Sequence, residues 1–424
     1  MQHVKLHLDH EILEGLLVKE DEKHITIKLS SGYNVGVAKH AVKQTEVIGE
    51  HQPLIAEKKP ALHQDKHLPQ VLILHTGGTI ASKVDYATGA VTPRFDPEEL
   101  LSLFPEIKDI AAIESRLFRN MASDDMRFSH YNLIAHEIKK ELGQHPQLKG
   151  IIITQGTDTI HYTAAALGFI FEHLPIPVVI VGSQRSSDRG SSDAAINLIS
   201  AVSFIANTSL SGVFICMHES MSDDACSIIG GFNAKKLHSS RRDAFKPVNR
   251  AAIARINYPT REIAYLAEYP QTVLNSPGTL TLHLFDEQLK IGIIISHPNM
   301  FAAEIEPFLK GFDGAVLEGT GLCHFPINEI DEFTTEHTKI RGALAALAKK
   351  IPVVMSLQTV AGSVNMNVYR PGRALIEMGI IGNHSSLITE TAFIKLAWLL
   401  SQKLDPQEYF MKDLRGEFAG SSAE

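Results

Sequence analysis

The chain has 424 residues, 44% apolar and 21% charged, with a formal net charge of −8. This composition is globular, and the length calls for two or three domains. There is no apolar run of the roughly eighteen residues that a membrane helix needs, and the acidic balance speaks against a self-sufficient nucleic-acid binder.

The first residues, Met1-Gln2-His3-Val4-Lys5, have neither the basic start nor the apolar core of a signal peptide, so a cytoplasmic protein is expected. Cys216, Cys226 and Cys323 lie far apart with no CxxC pair, which fits reduced thiols. His3, His7 and His10 cluster, as do His63 and His67. No HExxH or carboxylate-rich set accompanies them, and no metal site is expected.

Residues 1–50 read as a small β domain. Ile25–Leu29 and Tyr33–Val37 alternate with period two around a Ser30-Ser31-Gly32 loop, and Glu14–Lys19 is a plausible earlier strand. A small barrel or an open sheet satisfies this pattern, and it serves equally as a binding module or a structural appendage. Residues 51–69, with Pro53, Pro60 and Pro69 among charged residues, read as a linker.

From residue 70 the pattern changes to strand, loop, helix. Val71-Leu72-Ile73-Leu74 is an aliphatic run without alternation, as expected of a parallel strand covered on both faces. It ends in His75-Thr76-Gly77-Gly78-Thr79-Ile80-Ala81, a tight loop rich in hydroxyls. Gly150–Thr154, Pro177–Val181 and Gly212–Cys216 are further strands, with helices expected at Tyr162–Phe171 and Ala194–Ile205. Such alternation implies doubly wound parallel sheets. Residues 246–285 lack this rhythm and read as a connector with short strands. A second α/β unit follows over 286–424, with strands at Ile291–Ile295, Gly314–Glu318 and Pro352–Ser356. Short helical character is expected at Phe301–Leu309, and an amphipathic helix at Glu390–Ser401 carries the only tryptophan, Trp398. That helix face reads as core or dimer packing.

Five segments carry the chemistry. The loop after Val71–Leu74 places hydroxyls at the carboxyl end of a strand, where open α/β sheets bind ligands. Thr154-Gln155-Gly156-Thr157-Asp158-Thr159 repeats that arrangement and adds a carboxylate, although taken alone Thr157 and Asp158 read first as a helix N-cap and its neighbour. Ala122-Ser123-Asp124-Asp125 offers a hydroxyl and carboxylates for a substrate's polar end, or an N-cap with an acidic first turn. Gly182–Asp193, dense in Ser, Asp and Arg, reads as a site, an interface or a solvated loop. Asn233–Phe245 is basic; it is either a solvated face or the source of a lysine for a relay with Thr157 and Asp158. A threonine hydroxyl is a weak nucleophile and needs such help. Backbone N–H groups beside Gly78 or Gly156 would suit an oxyanion. No Walker A, GxGxxG or GxSxG pattern occurs.

The loops Thr76–Ala81 and Gly156–Thr159 together resemble the two signatures of the L-asparaginase/glutaminase family, over roughly residues 70–415. The resemblance implies an asparaginase-like pair of α/β domains, at 70–285 and 286–424, preceded by the small β-barrel-like domain. It implies Thr79 as the acylated nucleophile, and Thr157, Asp158 and Lys236 as the second threonine with its relay. Lys236 is taken over Lys235 because Phe245 lies nine residues beyond it, as in the family. Ser123 and Asp124 match the pair that holds the substrate's α-amino and α-carboxylate end. Gly78 and Gly156 accompany them, and Tyr86 matches the tyrosine of a lid.

The N-terminal module, Gln184–Arg189, Leu317–Leu322 and Val364–Tyr369 are similar to the D subunits of archaeal glutamyl-tRNA(Gln) amidotransferases. This implies glutamine hydrolysis, with ammonia passed to an E subunit that uses ATP and Mg²⁺ to amidate Glu-tRNA(Gln), and tRNA bound mainly through that partner. It also implies a homodimer of D subunits within a heterotetramer, and no cofactor in this chain. Gln155, Gly190 and Cys323 depart from the pattern, where His, Pro and a small residue are common. A free-standing cytoplasmic L-asparaginase is the enzymatic alternative, and an amino-acid-sensing scaffold the non-enzymatic one.

Overall fold

The computed structural model describes residues 2–29, 34–50, 64–65, 67–78, 80, 82–84, 91–93, 103–187, 191–267 and 278–418. Several expected features lie outside these residues: the Ser30–Tyr33 loop, most of the 51–69 linker, Thr79, the Tyr86 segment, and Asp188 to Gly190.

The N-terminal module is a five-stranded antiparallel sheet of β1 (Gln2–His7), β2 (Ile12–Glu20), β3 (His24–Lys28), β4 (Asn34–Ala38) and β5 (Gln44–Glu50), in the order β4-β3-β2-β1-β5. Strands β1 and β5 are additions to the expected set. In β1, Val4 and Leu6 alternate with polar residues and are buried with Ile25, Ile27 and Val37 in a small core of their own.

The main sheet has eight strands. Its parallel half is β6 (Gln70–His75), β7 (Ala112–Leu117), β8 (Leu148–Thr154), β9 (Pro177–Val181) and β10 (Gly212–His218). Antiparallel β11 (Ala225–Gly230), an addition to the expected strands, and two strands of the connector, β12 (Ala254–Asn257) and β13 (Ile263–Tyr265), extend it, giving the order β13-β12-β11-β10-β9-β8-β6-β7. The sheet is therefore mixed: its half from β6 to β10 is parallel and its far edge is not. Helices cover both faces, with α1 (Phe128–Gln144) and α2 (Ile160–Ile170) on one side and α3 (Ala194–Asn207) on the other. This burial on two faces explains the unbroken aliphatic runs Val71–Leu74 in β6, Ile151–Ile153 in β8 and Val178–Val181 in β9. The edge strand β7 is paired on its free side by the Gln64 side chain, which donates to Ile113 O (3.0 Å) and accepts from Ile113 N (2.6 Å).

The C-terminal unit has a parallel sheet of β14 (Ile291–Ile295), β15 (Gly314–Gly319) and β16 (Val353–Leu357), flanked by α4 (Glu336–Lys350). The expected helix at Phe301–Leu309 divides into a 3₁₀ turn, Ala302–Glu304, and one helical turn, Phe308–Gly311, with Pro307 between them. Proline cannot donate to the preceding turn, so the division falls there. The last long helix, α5 (Thr389–Ser401), packs on α2 across the two units. Trp398 stacks on Phe169 at 5.5 Å and donates to His283 O at 3.1 Å, so it belongs to the core between units. No helix among the described residues is long and apolar enough to cross a membrane.

Candidate active site

Strands β6 and β8 are parallel neighbours, with His75 opposite Thr154, so the loops that follow them leave the sheet side by side. Thr76 N and Oγ1 both donate to Thr154 O, at 3.0 and 2.9 Å, and knit the two loops together. Gly78, at φ +84°, is left-handed, and a Cβ placed on it would lie 2.6 Å from Gly156 N. Only glycine accepts both the conformation and the close approach. Below this crossing His75 is buried, with Nδ1 2.7 Å from Thr154 Oγ1 and Nε2 2.8 Å from Ser115 Oγ. Burial pulls its pKa down to about 3, so the ring is neutral.

After β8 the chain makes one 3₁₀ turn, Thr157–Thr159, and enters α2. Thr157 and Asp158 thus stand at the positive end of the helix, which favours negative charge. Neither caps the helix through its side chain, and both are engaged elsewhere. Lys236 Nζ donates to Thr157 Oγ1 at 2.8 Å and to Asp158 Oδ1 at 2.6 Å. Lys236 ends the strand Ala234–Lys236, which pairs with Phe245–Pro247 in a hairpin that sets Lys236 opposite Phe245. The basic segment is not simply solvated. Arg241 grips Asp243, Arg242 bonds Asp223, and Lys246 Nζ donates to Glu219 O at 2.6 Å.

Ser123 is buried in a short 3₁₀ turn, Ser123–Asp125, which precedes α1 without capping it; the N-cap of α1 is Arg127. A Cβ on Gly156 would lie 3.2 Å from Ser123 Oγ, so the Ser123 turn sits directly on the second loop. Thr159 Oγ1 donates to Ser123 O at 2.7 Å and accepts from Gln155 Nε2 at 3.3 Å. Sequence reasoning misses both contacts, because a hydroxyl or amide at such a position carries no periodic signal. Ser123, the exposed Asp124 and Thr159 line a cavity of about 470 Å³ walled by Tyr131, Tyr162 and Phe393. Gly182, which opens the polar loop after β9, abuts Thr157, and the buried Asp193 carboxylate accepts from Gln184 N (2.9 Å) and Arg185 N (3.0 Å). The loop is pinned at its base rather than freely solvated. Of the expected site residues, the structure brings Gly78, Gly156, Thr157, Asp158, Lys236, Ser123 and Asp124 into one region, while Thr79 and Tyr86 lie outside the described residues.

Comparison with known proteins agrees with this fold. Residues 70–269 match the family described as asparaginase, N-terminal, residues 290–410 the glutaminase/asparaginase C-terminal domain, and residues 1–48 the GatD N-terminal domain. Among solved structures, the thermostable L-asparaginase from Thermococcus kodakarensis superposes with a TM-score of 0.71 and 28% identity, covering 83% of this chain and 100% of that one. L-asparaginase I from Vibrio cholerae superposes with a TM-score of 0.68 and 27% identity, covering 83% and 99%. The D subunit of glutamyl-tRNA(Gln) amidotransferase from Methanococcus maripaludis is 39% identical over 98% of this chain and 96% of its own length. The D subunit from Pyrococcus horikoshii is 39% identical over 91% and 84%. With an asparaginase fold, the additional N-terminal domain and this near full-length identity, the chain belongs to the family of glutamyl-tRNA(Gln) amidotransferase D subunits.

Proposed function

We propose that this chain is the glutaminase subunit of a Glu-tRNA(Gln) amidotransferase. It hydrolyses glutamine to glutamate and ammonia and delivers the ammonia to a partner, the E subunit, which uses ATP with Mg²⁺ to convert Glu-tRNA(Gln) to Gln-tRNA(Gln). The observation that carries the reading is Lys236 Nζ held between Thr157 Oγ1 and Asp158 Oδ1, in a chain with the N-terminal domain of the D subunits. In the reaction we assign, Thr79 Oγ1 attacks the side-chain carboxamide, and its proton passes by way of Thr157 to the lone pair of the unprotonated Lys236 amine, which Asp158 holds in place. Backbone N–H groups near Gly78 and Gly156 stabilise the tetrahedral oxyanion. The relay returns a proton to the leaving nitrogen, the C–N bond breaks and ammonia departs. Water then attacks the acyl ester and releases glutamate and free Thr79. Ser123 and Asp124 hold the α-amino and α-carboxylate end, and Tyr86 closes over it. The active unit is 70–285 with 286–424 packed against it; two D subunits form the centre of a heterotetramer in the cytoplasm.

The test is steady-state hydrolysis of glutamine and asparagine, with and without the partner and Glu-tRNA(Gln). Weak activity alone and strong stimulation by partner and tRNA are expected, and Thr79→Ala is expected to abolish turnover. High partner-independent activity on asparagine would favour a free L-asparaginase, the reading prompted by the L-asparaginase neighbours in fold. Glutamine and asparagine differ by one methylene, worth only about 1–3 kcal/mol in a pocket, so rates decide between them.

A further inference from the structure

Lys236 is one of two adjacent lysines, and its neighbour has a partner of its own. Successive side chains on a strand point to opposite faces, so Lys235 leaves the hairpin on the side away from Thr157. There its Nζ donates to both carboxylate oxygens of Glu390, at 2.9 and 3.2 Å. The same carboxylate lies 3.6 Å from His161 Nε2. His161 stands in the first turn of α2, four residues beyond Thr157. Lys235 and His161 thus belong to the two segments the relay must hold in register: the hairpin that carries Lys236 and the turn that carries Thr157 and Asp158.

Glu390 reaches them from the other α/β unit. It lies in the first turn of α5, whose start is fixed to its own sheet by Thr389 Oγ1 donating to Glu318 Oε1 at 2.7 Å. The helix is fixed to the catalytic unit by Thr391 Oγ1 donating to Phe232 O at 2.5 Å, two residues before Ala234. The Glu390 side chain is only 12% exposed, and a carboxylate buried to that degree is costly unless paired. Burial works to raise its pKa, but His161 and Lys235 outweigh burial and hold it at about 2, so the group is charged at neutral pH.

We infer that Glu390 is a positioning residue, which grips Lys235 and His161 from the C-terminal unit and thereby sets Lys236 against Thr157. The contact makes relay geometry depend on how the two α/β units pack. A shift of α5 moves the hairpin and the α2 turn relative to each other.

The inference rests on the glutaminase reading, so the full-length chain in complex with its partner is assayed first, with Lys236→Met as the control for the relay. Glu390→Gln keeps the shape and removes the charge. It is expected to lower kcat for glutamine by about 10²-fold, the cost of roughly 1 Å of misplacement, with KM changed no more than about twofold. Lys235→Met is expected to lower kcat comparably, and the double variant to be no worse than the worse single, because both remove one contact. If Glu390→Gln does not fold, Lys235→Met carries the same kcat-against-KM measurement. Unchanged kcat in a folded variant, or losses that add independently in the double variant, would overturn the inference. An inactive wild-type complex would instead overturn the glutaminase reading.

Discussion

Replacing Lys236 by methionine removes the ammonium and keeps most of the stem, so it isolates the relay. Nζ makes two contacts, at 2.8 Å to Thr157 Oγ1 and 2.6 Å to Asp158 Oδ1. They are not equivalent. Asp158 is 62% exposed against 10% for Lys236, and an ion pair open to water contributes at most about 1 kcal/mol to stability. The melting temperature is therefore expected to move by no more than about 2–4 °C. The Thr157 contact acts on the proton that must move. A positioned acid–base group contributes roughly 10²–10⁴-fold to the rate, equivalent to about 3–5 kcal/mol of barrier. We expect Lys236→Met to lower kcat/KM for glutamine by that factor, and Asp158→Asn to fall at the low end of the range. Glutamate release by the complex with partner and tRNA, beside a thermal melt of each variant, is the assay. A folded Lys236→Met protein with kcat/KM within about threefold of wild type would refute the relay.

Gly78→Ala places a Cβ 2.6 Å from Gly156 N at a positive φ. The backbone strain alone costs about 1–2 kcal/mol, so a lower melting temperature and loss of turnover are expected. Gly49→Ala, with nothing within 4 Å of its Cβ, should change neither. Lys395 and Glu417 form an ion pair whose side chains are both fully buried. Lys395→Met leaves the buried carboxylate with only backbone donors, Leu414 N and Arg415 N, and is expected to cost about 3 kcal/mol in urea unfolding, part of which Lys395→Met/Glu417→Gln recovers. His75 is held neutral with a folded pKa of about 3 against an ordinary 6.5. The unfolded chain therefore binds the extra proton, and stability falls as pH drops from 6.5 towards 3, by about 1.4 kcal/mol per pH unit from this group. Urea midpoints across that window should show a shallower slope for His75→Gln than for wild type; equal slopes would mean the ring is not buried neutral.

What local chemistry writes into the chain is legible. Strands covered on both faces need no alternation, so Val71–Leu74, Gly150–Thr154 and Pro177–Val181 stand out as aliphatic runs, and the glycine- and threonine-rich loops after them mark the sheet's carboxyl end. Strand β7 does not stand out, because Glu114 and Arg116 interrupt its apolar positions at an exposed edge. The antiparallel β11 goes unread, and β12 and β13 read only as part of the 246–285 connector, since such short strands take their identity from pairing outward from β10 rather than from their own sequence. The two adjacent lysines show the limit most clearly. The local chemistry of Lys235-Lys236 does not say which one meets Thr157; only the family spacing to Phe245 points to Lys236. The hairpin with Phe245–Pro247 turns Lys236 towards Thr157 and Lys235 towards Glu390 of another unit, 154 positions from Lys236. By itself the sequence determined the doubly covered strands, the loops after them and the reactive residue types, because those depend on neighbours within a few positions. Only the tertiary structure decided which charges meet, because that depends on strand register and on the packing of α5 against α2, contacts between residues far apart in the chain.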